Sequence, residues 1–166
     1  GAAVLRATDE EDRGVLSTHI HADGDHAEML WTEAAGSSKH PRISAEDIEQ
    51  GRHFPQMQGR DVFKHAVKRM PEAVLEALAA NDLEAGDIDL LIPHQANLRI
   101  SQMVQRRLGL EDEQVVNNIQ RYGNTTAATI PIALAESVRA ERLERGDLLC
   151  LVAFGSGLTW GSALVR

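Results

Sequence analysis

Asp89-Leu90-Leu91-Ile92-Pro93-His94-Gln95-Ala96-Asn97-Leu98-Arg99 sets bulky aliphatic side chains, closed by a proline, directly against a histidine and a polar segment. A short apolar run bounded in this way reads as a buried strand. The polar segment opens a helix predicted over Ala96–Leu108 and closed by Gly109, because glycine readily takes the left-handed conformation that ends helices. The strand therefore delivers His94 to a strand-to-helix junction, where backbone N–H groups are free to bind a ligand.

Reading towards the carboxyl end, Gln114–Val116 is a candidate short strand, and Asn124 or Thr125 opens a helix reaching Glu141. Gly146-Asp147 then turns the chain into a strand over Leu148–Phe154. Gly155-Ser156-Gly157 breaks that strand, and Leu158–Val165 returns as its antiparallel partner. Towards the amino end, Val62, Ala66, Met70, Val74 and Leu78 recur every four residues, with Phe63, Val67 and Leu75 widening the stripe. This is the period of an amphipathic helix, expected over Arg60–Ala80, with Pro71 removing one donor and bending it. Asn81, Asp82 and Gly86 supply the stop. Between Asp23 and Gly59 glycines and prolines break every period, apart from a short helix over Ser44–Gln50 that Ser44 and Asp47 are placed to cap. Residues 14–22 alternate as a strand. Strands and helices thus take turns, which predicts an α/β layer structure.

Composition narrows the function classes. The 166 residues suit one domain, with 43% hydrophobic and 25% charged residues. No apolar run approaches the roughly eighteen residues that cross a membrane, and no secretory leader is visible, so no membrane partner is expected. A net charge of −8 argues against general nucleic-acid binding. Cys150 is the single cysteine, which excludes an internal disulfide and fits a reducing, cytoplasmic setting. It lies in an apolar run with no helix start after it, so it reads as a core thiol rather than a nucleophile. The chain opens at Gly1 on the apolar Ala2-Ala3-Val4-Leu5, as if inside a strand; residues 1–13 are expected to end a preceding half-domain, and 14–166 to form the next.

Three junctions share one character. His94 follows a buried strand. Asn124 follows a glycine in Arg121-Tyr122-Gly123-Asn124-Thr125-Thr126-Ala127-Ala128. A strand breaks into Gly155-Ser156-Gly157-Leu158-Thr159-Trp160-Gly161. These segments, in this order, resemble β-ketoacyl-acyl carrier protein synthase III, and the likeness extends to Ser17–Gly24, Gly59–Lys64 and the closing Thr159–Arg166. The resemblance implies the carboxyl-terminal half of a thiolase-like fold, a mixed sheet covered by helices, in an enzyme otherwise built from a similar first half.

It also implies a chemistry. In that family a Cys–His–Asn triad takes an acyl group from acyl-coenzyme A and condenses it with malonyl-acyl carrier protein as carbon dioxide leaves, with no cofactor beyond the substrates. His94 and Asn124 match the His and Asn, two N–H donors for the thioester oxygen on which charge builds. The matching cysteine belongs to the first half, so this chain alone is expected to be inactive. The Gly155, Ser156 and Gly157 turn matches the loop that gives a backbone N–H to the acylation oxyanion, with Ser156 where glycine is more usual.

Arg60, Lys64 and Lys68 form one basic stripe, and Arg99, Arg106 and Arg107 lie on the next helix. Lys64, Arg99, Arg106 and Arg107 match positions that dock the anionic carrier protein, as does the segment Gln95, Ala96, Asn97, Leu98 and Arg99. Phe63 matches a residue lining the pantetheine tunnel, and Arg60 stands where asparagine is common. A homodimer, joined mainly through the first half, is implied as well.

Taken singly these residues have plainer readings. His94 alone is a structural histidine, Asn124 a helix cap, Phe63 core, and the basic stripes solvated helix faces. His19-Ile20-His21, with Asp23, Asp25 and His26 nearby, is the one rival motif, because alternate strand residues share a face as in some metal hydrolases. No later Cys, His or acidic cluster at ligand spacing completes a metal site, so none is expected. The same segments would also suit a homologue that serves secondary metabolism, one that condenses two fatty acyl groups, or a non-catalytic half-domain.

Overall fold

The computed structural model describes residues 1–10 and 13–166; residues 11 and 12 of the expected leading segment lie outside the described residues. Val15–Ala22 forms β1, Leu30–Trp31 β2, Ala45–Glu49 α1, Gln56–Met57 β3 and Gly59–Ala79 α2. Leu90–Pro93 forms β4, Leu98–Leu108 α3, Ile119–Tyr122 α4, Thr129–Arg139 α5, Leu149–Gly155 β5 and Thr159–Val165 β6. The main sheet runs β1-β6-β5-β4. β4 pairs with β5 in parallel, whereas β5–β6 and β1–β6 are antiparallel. The sheet is mixed, as expected.

Side chains of β5 alternate between two cores, as a strand with both faces covered requires. Cys150, Val152 and Phe154 join Met70, Val74 and Leu78 of α2 and Val104 of α3. Leu149 and Leu151 join Leu90 and Ile92 of β4 and Ala133 of α5. Helix α2 runs unbroken through Pro71, which is itself buried. Gly161 lets β1 lie close against β6, since a Cβ there would stand 2.5 Å from the His19 carbonyl oxygen.

On the α5 side the cover stops short. Beyond α5, Thr18, Ile20, Leu151, Ala153, Gly161 and Ala163 line an open cleft rather than a packed interface, and Ile20 is 82% exposed. No described helix is long and apolar enough to cross a membrane.

Several boundaries differ from expectation. Ala2–Leu5 forms no strand, and Val4 is 97% exposed, because a strand without a neighbour has no ladder to complete. Helix α3 starts two residues later than predicted, after Asn97, whose Oδ1 accepts the Arg99 N–H at 2.9 Å. Residues around Val115 make only an isolated bridge to Leu91 instead of a strand. The helix expected from Asn124 is split: α4 precedes it, Thr126–Ala128 is a 3-10 turn, and α5 begins at Thr129. The short helix lies where expected, with Ser44 and Asp47 capping each other's backbone.

Candidate active site

Parallel pairing of β4 with β5 brings the residues that follow both strands to one end of the sheet. There a cleft of about 1410 Å³ is lined by His94, Asn124, Gly155, Ser156, Phe63 and Arg60, among others. Two residues matched through the family resemblance, on loops 30 positions apart, therefore line one space.

His94 continues the β4 ladder, its N–H donating to the Val152 carbonyl at 2.8 Å. Its Nδ1 lies 2.7 Å from the Thr129 hydroxyl, at the first turn of α5. Burial of the ring pushes its pKa below the ordinary histidine value, because desolvation penalises the charged form, so the neutral imidazole prevails near pH 7.

Asn124 is held at its oxygen. Oδ1 accepts the Thr126 N–H at 2.9 Å, which leaves the carboxamide NH2 as the end without a partner among the described residues. Thr126 takes a left-handed backbone, φ +52°, which a β-branched residue adopts at a cost of about 1–3 kcal/mol. Its carbonyl accepts the Thr129 N–H and lies 3.0 Å from the Thr129 hydroxyl. A chain of hydrogen bonds, Asn124–Thr126–Thr129–His94, with the Thr129 backbone N–H as its middle link, thus couples the two side chains.

The hairpin turn closes the cleft on another side. Gly155 and Ser156 line it, whereas Gly157 is not among the lining residues. Glycine is required at 157, where φ is +139° and a Cβ would stand 2.6 Å from Thr159 Cγ2. Serine at 156 is accommodated without a positive φ, and its hydroxyl donates to the Leu30 carbonyl at 2.6 Å. The turn is thereby tied to β2, which also lines the cleft.

Gln95 is a correction. Its side chain is 2% exposed, with Nε2 donating to the carbonyls of Pro93 and Val116 at 2.8 and 3.0 Å. Its Oε1 accepts the Asn118 N–H at 3.0 Å. It faces inward and fastens the His94 loop to the segment leading to Asn124, so it has no surface to offer a carrier protein. Ala96 is half-buried in the cleft, while Asn97, Leu98 and Arg99 are exposed.

The basic residues are spread along α2 and α3. Arg60 and Arg99 line the cleft, the Arg99 guanidinium sitting 5.6 Å over the Phe63 ring. Lys64 lines it too but is paired with Asp61 at 2.7 Å. Lys68 is exposed further along α2. Arg106 and Arg107 are exposed in the last turn of α3, about 10 Å along the axis from Arg99, where they also offset the negative helix end. Arg106 lines a second, polar cleft with Asp112, Glu113 and Arg142.

Cys150 is wholly buried, and desolvation pushes its thiol up to about 12, the character of a core residue. His19 and His21 share a face as expected, but that face points to Glu76 of α2, at 3.4 and 2.6 Å. Among the described residues no three His, Cys, Asp or Glu side chains gather at metal-binding geometry. The inward role of Gln95 and the contacts of Thr126 and Thr129 escape a reading of the sequence. Only the density of hydroxyl residues after Asn124 hints at a hydrogen-bonded turn.

Residues 78–166 match the family model described as 3-oxoacyl-[acyl-carrier-protein (ACP)] synthase III C terminal. The whole chain is 52% identical, over 168 aligned residues, to the β-ketoacyl-acyl-carrier-protein synthase III of Acidiphilium cryptum, covering 49% of that protein. It is 51% identical to that of Xanthomonas campestris, again covering 49%. Among solved structures, the synthase III of Pseudomonas aeruginosa superposes with a TM-score of 0.84 at 38% identity, over 97% of this chain and 47% of that one. The Thermus thermophilus synthase III gives 0.82 at 42% identity, over 94% and 47%. The thiolase-like α/β fold expected from the sequence is the fold found. The chain spans about half the length of the curated relatives it matches.

Proposed function

Since this chain belongs to the 3-oxoacyl-acyl-carrier-protein synthase III family, we propose that it is the carboxyl-terminal catalytic half of an acyltransferase that starts fatty acid chains. It condenses an acyl-coenzyme A primer with malonyl-acyl carrier protein. One observation carries this reading: His94 and Asn124, coupled through a buried threonine, line one cleft, with the Asn124 amide N–H end unpartnered among the described residues.

A cysteine of the amino-terminal half takes the acyl group, and coenzyme A leaves as the thiol. Malonyl-acyl carrier protein then enters. Its carbon–carboxylate bond breaks, carbon dioxide departs, and the electron pair delocalises onto the thioester oxygen. His94 and Asn124 donate N–H groups to that oxygen. The resulting carbanion attacks the acyl-enzyme carbonyl, the Gly155–Gly157 turn stabilises the oxyanion, and the cysteine thiolate is expelled. No redox change occurs, so no cofactor is needed. Arg60, Phe63 and Arg99 receive the pantetheine arm and its carrier, with Lys64, Arg106 and Arg107 extending the anionic contact.

The amino-terminal half covers the open sheet face around Ile20, Ala153 and Ala163, whose apolar character calls for a partner. The assembled enzyme works in the cytoplasm as a homodimer, a setting with which the lone reduced thiol agrees.

The test is His94→Ala in the assembled enzyme. Decarboxylation of malonyl-carrier protein is expected to fall by about a hundred- to a thousandfold, the effect of removing one oxyanion donor, while acyl transfer from coenzyme A persists. Decarboxylation at the unsubstituted rate refutes the donor role.

A further inference from the structure

Thr129 is not one of the groups that face the substrate, yet it is the sole hydrogen-bond partner of the His94 side chain among the described residues. Its hydroxyl has one proton and two neighbours, His94 Nδ1 at 2.7 Å and the Thr126 carbonyl at 3.0 Å. That carbonyl already accepts the Thr129 backbone N–H, so it is satisfied without the hydroxyl. At 2% exposure the residue has no bulk water to share its proton with. The shorter contact, and the acceptor with no other donor, is the ring.

A ring nitrogen that accepts carries no proton, and a neutral imidazole has only one N–H. We propose that Thr129 is a positioning residue that sets the tautomer of His94: its hydroxyl donates to Nδ1, which leaves the N–H on Nε2, the end of the ring left to the cleft. The inference rests on the reading of His94 as a donor and deepens it. With the opposite relay, Nδ1–H to Thr129 and Thr129 to Thr126, the ring would turn a lone pair towards the thioester oxygen and repel the charge that develops there. Through Thr126 the same network holds the Asn124 carboxamide, so one turn of chain orients both donors.

The decisive measurement is nitrogen-15 NMR of the assembled enzyme labelled at histidine, near pH 7.5, with His94 identified by the signals missing from His94→Gln. A protonated Nε2 and a bare Nδ1 are expected, and Thr129→Val shifts the ring towards a mixture of tautomers. In the assembled enzyme Thr129→Val lowers malonyl-carrier decarboxylation by about tenfold to a hundredfold, the scale on which a histidine suffers from losing its orienting partner. Thr129→Ser, which keeps the hydroxyl, retains both the tautomer and most of the rate. A protonated Nδ1 in the unsubstituted chain overturns the proposal even if Thr129→Val fails to fold, as does an unchanged tautomer in Thr129→Val. Undiminished decarboxylation by His94→Ala instead overturns the function beneath it and leaves the tautomer standing, so the two failures are separable.

Discussion

Replacing Gln95 by leucine distinguishes an internal fastener from a docking residue. The two side chains are close in volume, so packing changes little, but leucine leaves three backbone groups without their partner: the carbonyls of Pro93 and Val116 and the N–H of Asn118. An unsatisfied buried polar group costs about 1–3 kcal/mol, and taking the low end for each gives about 3 kcal/mol together. For a chain of this size that corresponds to a fall in Tm of about 6–12 °C. Thermal unfolding of Gln95→Leu measures it directly, with Arg99→Glu as the paired control. Arg99 is exposed and stacks on Phe63, so its reversal is expected to leave Tm nearly unchanged and to raise the KM for carrier protein far more than that for acyl-coenzyme A. Should Gln95→Leu unfold at the parent temperature while raising the carrier KM, the clamp described for Gln95 is refuted and its place at the carrier surface restored.

Two further outcomes follow from local geometry. Thr126→Gly removes a left-handed β-branched residue and keeps the backbone N–H that holds Asn124, so Tm is expected to rise by about 2–4 °C for the ~1 kcal/mol of relieved strain; a fall of similar size would show that the side chain, not the backbone, maintains the turn. Asp47 is held at about 2 by the Ser44 hydroxyl and N–H and by Arg52, against 3.8 when unfolded. Its contribution to stability is full above pH 3.8 and disappears as pH falls towards 2, so Asp47→Asn is less stable than the parent at pH 7 and the gap closes in acid; a constant gap across denaturant melts at about pH 7, 4 and 2.5 would dismiss the linkage.

What could be foreseen divides along physical lines. The four-residue repeat from Val62 to Leu78 recorded a helix pressed on one side against a sheet, and α2 lies where that repeat put it. Strand ends marked His94 and the Gly155 turn, because a strand end is where buried chain meets a functional surface, and a glycine ahead of a helix start marked Asn124. Gln95 misled because neighbouring residues in a loop point in different directions, and the loop's path depends on Val116 and Asn118, more than twenty positions away. Thr129 was invisible for the same reason: its contact with His94 joins two segments 35 residues apart, and no local pattern encodes such a meeting. Where α5 begins was set by the Asx contact of Asn124 and the 3-10 turn after it, a choice among near-equal helix starts that propensity alone does not resolve.

The parallel ladder between β4 and β5 has a consequence for how this site tolerates change. His94 owes its place to its position along that ladder, with Leu90 opposite Leu149 and Pro93 opposite Val152. Sliding β4 by a single residue would carry the imidazole about 3.3 Å along the sheet and turn it to the opposite side. Insertions are therefore expected to be absorbed in the surface excursion between Asp23 and Gly59, whereas one residue added within Leu90–Pro93 disarms the site while leaving every side chain of the chemistry present.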